Sequence, residues 1–143
     1  MTIKAVLSHK GTNVVTVEPH AQLVAAIKVL SDKRIGALVV TGAEARIVGI
    51  ISERDIVRAL SQHGAQALER PVAEFMTRNV VICSERDTMA ELMERMTKGK
   101  FRHIPVVENG RLLGIVSIGD IVKHRVEELE QDGAALQDYI RTA

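Results

Sequence analysis

The chain contains itself twice, and that duplication restricts its fold more than any other property. Asn13-Val14-Val15 recurs as Asn79-Val80-Val81, an offset of 66 residues. Farther along, Gly49-Ile50-Ile51-Ser52-Glu53-Arg54-Asp55-Ile56-Val57-Arg58 recurs as Gly114-Ile115-Val116-Ser117-Ile118-Gly119-Asp120-Ile121-Val122-Lys123, an offset of 65. The first copy therefore carries one extra residue, most simply in the turn Thr41–Arg46. Long-period self-similarity of this kind decides the fold before any local propensity does.

Each copy reads in the same order. A short β-branched run comes first, Val14–Val17 or Val80–Cys83. A helix-period segment follows: Leu23, Ile27 and Leu30 in one copy, Met89, Leu92, Met93 and Met96 in the other. Each set makes one apolar stripe. A second strand is Ala37–Val40, matched by His103–Val107. Turn residues come next, Thr41-Gly42-Ala43 and Glu108-Asn109-Gly110, the Asn-Gly pair being a strong hairpin signal. Ile47–Ile51 and Leu112–Val116 form third strands, and Ser-x-x-Asp opens a closing helix at Ser52 and Ser117. The expectation is an α/β chain of α+β type, a tandem of β-α-β-β-α units. A half of about 60 residues buries too little surface to be comfortably stable alone. The two copies should therefore pack about a pseudo-twofold axis. The expected units are residues 1–66 and 67–128, with a helical tail over 129–143 serving as an interface.

Composition narrows the function. Hydrophobic residues are 46% and charged residues 26%, which excludes a disordered chain. The formal net charge is +1, without the basic excess of a nucleic-acid binder. Aromatics are 2%, namely Phe75, Phe101 and Tyr139, too few for a base-stacking platform. No apolar run approaches the ~20 residues that cross a bilayer, and nothing after Met1-Thr2-Ile3-Lys4 reads as a secretory signal. Cys83 is the only cysteine, so no intrachain disulfide forms and a cytoplasmic location is expected. The five histidines show no metal-binding spacing. Cys83 lies in an apolar run and reads as a buried thiol, not a nucleophile.

Ser52-x-x-Asp55 and Ser117-x-x-Asp120 carry two readings, both open at this stage. One is a helix N-cap, with Ser accepting from helix amides and Asp complementing the dipole. The other is a nucleotide site: free amides and a hydroxyl suit a phosphate, and a carboxylate accepts from both hydroxyls of a ribose.

The duplicated Gly-h-h-Ser-x-x-Asp segments, together with Arg102-His103-Ile104-Pro105-Val106-Val107, make the chain resemble the cystathionine-β-synthase (CBS) domain pair, or Bateman module, over roughly residues 5–128. The first copy departs at Val39, where that family often has Pro. The resemblance implies a binding protein without catalysis of its own. It would be a stand-alone regulatory module, taking AMP, ADP, ATP or NAD(H) between the repeats and modulating an unidentified partner protein. One implied site joins Ser117 and Asp120 with Lys10, Val15, Gly36 and Ala37. The other joins Ser52 and Asp55 with Thr77, Val81, Arg102 and His103. Arg102 and His103 read equally well as solvated residues at a strand entry. No cofactor is required by this reading, and with so few aromatics the implied adenine is expected to lie between aliphatic side chains and backbone, without ring stacking. A homodimer is expected, without nucleic-acid or membrane partners. The competing expectation is a dimerisation scaffold whose clefts take no specific ligand.

Overall fold

The computed structural model describes residues 1–11 and 13–142. Ala143, the last residue of the expected tail, lies outside the described residues. The first repeat runs β1 (Thr16–Val17), α2 (Leu23–Lys33), β2 (Ala37–Thr41), β3 (Ile47–Ser52) and α3 (Glu53–His63). β1 pairs parallel to β2, and β2 antiparallel to β3. The second repeat runs α4 (Met89–Gly99), β4 (His103–Glu108), β5 (Arg111–Ser117) and α5 (Ile118–Thr142). β4 and β5 form a hairpin across Asn109 and Gly110, both at positive φ (52° and 75°), as a tight two-residue turn requires.

The strand expected over Val80–Cys83 shrinks to one parallel bridge, Cys83 to Val106. The cause is a single ring. The register that pairs Thr16 with Val39 in the first repeat would place Ile82 opposite Pro105 in the second. Pro105 has no N–H to donate, so the ladder stops after Cys83 N donates to Pro105 O (3.0 Å) and Val107 N to Cys83 O (2.9 Å).

One helix is absent from the sequence reading: α1 (Ile3–Lys10), which Thr2 caps. Ile3, Val6 and Leu7 are buried, and they enter the core of the second repeat beside Cys83, Leu92, Met96, Ile104, Val106, Val116 and Ile121. Burying each such side chain contributes about 1.5–3 kcal/mol, which an eight-residue helix needs because it is marginal alone. The reverse exchange occurs at the linker. Ala67, Val72 and Met76 enter the core of the first repeat with Leu23, Leu30, Leu38, Val40, Ile51 and Ile56. Each repeat is thus completed by the segment that precedes the other. The two cores therefore interleave along the chain.

The exchange explains the two motif glycines. A Cβ on Gly49 would lie 2.6 Å from Met76 Sδ and 2.9 Å from Thr77 O. A Cβ on Gly114 would lie 2.8 Å from Leu7 Cδ2. The incoming segments cross the strands where a side chain would stand.

Candidate functional site: two capped helices at the repeat junction

β3 delivers Ser52 to the start of α3. Asp55 N donates to Ser52 Oγ (3.3 Å), while Ser52 N and Oγ donate to Asp55 Oδ2 (2.9 and 3.0 Å). The N-cap is therefore real, a reciprocal capping box. Asp55 does more than cap. Its Oδ1 accepts from Thr77 Oγ1 (3.2 Å), and Thr77 is held by backbone bonds in both directions with Ile50 (2.8 and 3.0 Å). The carboxylate is buried, with 7% of the residue exposed, yet it borders a cavity of about 510 Å³ between the repeats.

Three stretches wall this cavity: the first turns of α3, residues 77–81, and residues 99–103. Ser52, Asp55, Thr77, Val81, Arg102 and His103 all line it. Gly36 lines it as well, although the resemblance assigns Gly36 to the other cleft. The reason is local: Gly36 O accepts from Glu53 N (3.0 Å), which sets the entry to β2 against the first turn of α3. Four fixed cations share the wall, Arg54, Arg58, Lys100 and Arg102, against the two carboxylates Glu53 and Asp55. Arg54 Nη1 donates to Lys100 O (3.0 Å), tying α3 to the end of α4. Lys100 itself sits in the left-handed region (φ 58°), as Arg34 does at the matching end of α2 (φ 55°).

Sequence reading missed Arg58, Lys100 and Phe101. Arg58 was legible, since it lies one helical turn beyond Asp55 on the same face. Lys100 was half-legible in the basic run Lys98–Arg102 at a helix end. Phe101 corrects the expectation of an aliphatic pocket, because one ring does line the cavity.

His103 stands at the meeting point of the two repeats. A Cβ on Gly36 would be 3.3 Å from its ring. Burial holds its imidazole below the usual histidine range, and Lys10 and Arg102 add to this against Asp120 and Glu53.

The second cap has the same frame and a different occupant. Asp120 N donates to Ser117 Oγ (3.1 Å) and Ser117 N to Asp120 Oδ2 (2.8 Å). Here Lys10 Nζ reaches both Asp120 Oδ2 (2.6 Å) and Ile115 O (2.7 Å). Burial pushes the Asp120 carboxyl up, but the bonds from Lys10 and Ser117 outweigh it and hold the group low. Val15 packs against the first core, and Ala37 is buried in β2 opposite Ser52. Among the described residues no cluster of three or more His, Cys, Asp or Glu could hold a metal ion. No helix among them is long and apolar enough to cross a membrane.

This architecture defines a tandem of mixed α/β units with a ligand-sized cleft at their junction. The CBS domain family matches residues 4–62 and 72–127, and the chain belongs to that family. A CBS-domain containing protein from Agrobacterium tumefaciens is 49% identical, with a TM-score of 0.85 over 87% of this chain and 92% of that one. The CBS domain pair of protein MJ0100, solved in complex with 5′-methylthioadenosine and S-adenosyl-L-methionine, is 27% identical with a TM-score of 0.80, over 90% of this chain and 98% of that one. An uncharacterized 17.7 kDa protein of Acidianus ambivalens is 37% identical over 78% of this chain and 67% of its own length. The chain spans only 21% of a CBS domain-containing relative from Arabidopsis thaliana.

Proposed function

We propose that this protein is a regulatory CBS pair that takes an adenine nucleotide in the cleft of Ser52 and Asp55. The observation that carries the reading is one cavity with Asp55 on one wall and Arg54, Arg58, Lys100 and Arg102 around it. A ribose needs a carboxylate acceptor, and Asp55 Oδ1 keeps a lone pair beyond its bond from Thr77. Phosphates need cations, and four stand on the cavity wall. The adenosine compounds bound by the CBS pair of protein MJ0100 support the choice of adenosine. The ligand candidates are AMP, ADP, ATP and NAD(H). Binding alone suffices for function here. A ligand that bridges the repeats and prefers one packing shifts the population presented to a partner protein.

The same reading takes the chain as a cytoplasmic homodimer. Support comes from apolar residues left outward: Val57 and Leu60 on α3, and Val122, Val126, Leu129, Leu136 and Ile140 along α5.

Thermal unfolding with each nucleotide tests the ligand. Ligand at a hundredfold over Kd should stabilise by about 2.7 kcal/mol. Asp55→Ala and the pair Arg58→Ala with Lys100→Ala should remove the shift. Absence of any shift with millimolar AMP, ADP, ATP, NADH or S-adenosyl-L-methionine would leave the dimerisation scaffold as the better reading.

A further inference from the structure

We infer that Lys10 is a built-in occupant of the Ser117–Asp120 cap, so that each chain offers one working cleft and not two. The inference rests on the nucleotide reading above and assigns its stoichiometry to one residue. The two caps are frame-for-frame equivalents, with Ile50 matching Ile115 and Asp55 matching Asp120. At the first cap Thr77 makes two bonds with separate groups: its N–H to Ile50 O (2.8 Å) and its hydroxyl to Asp55 (3.2 Å). At the second cap one ammonium makes both, to Ile115 O (2.7 Å) and Asp120 (2.6 Å).

The substitution changes the chemistry of the cap. Thr77 brings no opposite charge to Asp55, whose Oδ1 keeps a lone pair for a hydroxyl donor. Lys10 neutralises Asp120 with a charge-assisted bond on the oxygen that Ser117 N also holds. A ribose must either displace that ammonium from Oδ2 or settle for Oδ1 of a carboxylate whose charge is already balanced. Removing a hydrogen bond to a charged group weakens binding by about 10- to 100-fold. The strand entries differ in the same sense. Arg102 and His103 bring side chains to the first cleft. Their counterparts in the first repeat, Gly36 and Ala37, carry no polar side chain. Lys10 is the last residue of α1, whose Ile3, Val6 and Leu7 are anchored in the second core. The lysine is thereby tethered to the repeat whose cap it fills.

Equilibrium dialysis of the full chain with radiolabelled AMP, ADP and ATP tests this. One nucleotide per wild-type chain is expected. Asp55→Asn should abolish binding, and Asp120→Asn should leave it unchanged. Because Asp55→Asn weakens a helix cap and could unfold the chain, Val81→Trp serves as a second way to fill the first cleft. Lys10→Met should admit a second nucleotide, which the added change Asp120→Asn then removes. Two equivalent nucleotides on the wild type, or loss of affinity in Lys10→Met, would overturn the occupant role while leaving the nucleotide reading intact. No binding to any variant would sink the nucleotide reading and the occupancy scheme with it.

Discussion

Replacing Gly49 by alanine should cost far more than replacing its counterpart Gly114, although both belong to the same motif. A methyl group at Gly49 meets Met76 Sδ at 2.6 Å, Met76 Cγ at 2.9 Å and Thr77 O at 2.9 Å. Met76 can turn away, but the Thr77 carbonyl cannot move without breaking its bridge to Ile50. That carbonyl accepts from Ile50 N (3.0 Å), and Thr77 N donates back to Ile50 O (2.8 Å). Overpacking costs about 1–3 kcal/mol, and each weakened backbone bond about 0.5–1.5 kcal/mol more. Alanine's lower chain entropy offsets about 0.5–1 kcal/mol of this. The balance is about 3 kcal/mol for Gly49→Ala. At Gly114 the nearest atom is Leu7 Cδ2 at 2.8 Å, the end of a flexible side chain. A cost of about 1 kcal/mol is expected there, toward the low end for overpacking. For a chain of this size, 1 kcal/mol moves Tm by about 3–5 °C. Thermal unfolding should therefore separate the variants by several degrees. The Gly49 change also pushes Thr77 off Asp55, so nucleotide affinity should fall in Gly49→Ala and hold in Gly114→Ala. Equal stability of the two, or a costlier Gly114→Ala, would refute the assignment of Thr77 as the rigid element.

Other outcomes can be checked with simple titrations. His103 is held low by burial, so its folded pKa lies beneath the ordinary value of about 6.5. The unfolded state then binds more protons in the window just below pH 6.5, and stability should drop as pH falls through it. His103→Gln should flatten that slope, as read by denaturant unfolding at several pH values. A phosphate-bearing ligand should raise the His103 pKa in NMR titrations; an unchanged value would move the phosphates elsewhere. Burial pushes the Cys83 thiol up to about 12, so thiol reagents at pH 8 should modify it only after unfolding. Leu129→Asp with Ile140→Asp should convert a dimer to monomer by light scattering, at little cost to folding, since both residues are exposed.

Much of the fold was legible because its signals are local and occur twice. Ser52 and Ser117 each begin a helix as their spacing predicts, and Asn109-Gly110 makes the expected turn. What escaped was tertiary. α1 has apolar residues at 3, 6 and 7, a short pattern whose partners lie more than 75 residues away. Nothing in residues 1–11 points to Leu92 or Ile121. The shortened strand at Cys83 depends on Pro105, a residue of a different strand. The residues assigned to the first cleft meet around one cavity for a related reason. Ser52, Asp55, Thr77, Val81, Arg102 and His103 come from three segments that the repeat brings together. Lys10 reads from sequence as a ligand contact, and only its distance from Asp120 makes it a side-chain partner.

The exchanged segments also set an order of events during synthesis. The first core needs nothing beyond Met76, so it can close while the second repeat is still being translated. The second core cannot. It joins Ile3 to Ile121, and α1 must wait through most of translation for its partners to emerge. Until then Ile3, Val6 and Leu7 ride exposed on a nascent chain. A ribosome that stalls after the first repeat would release a product with a finished core and a sticky N-terminus. Quality-control proteases and chaperones would meet that unpaired segment first.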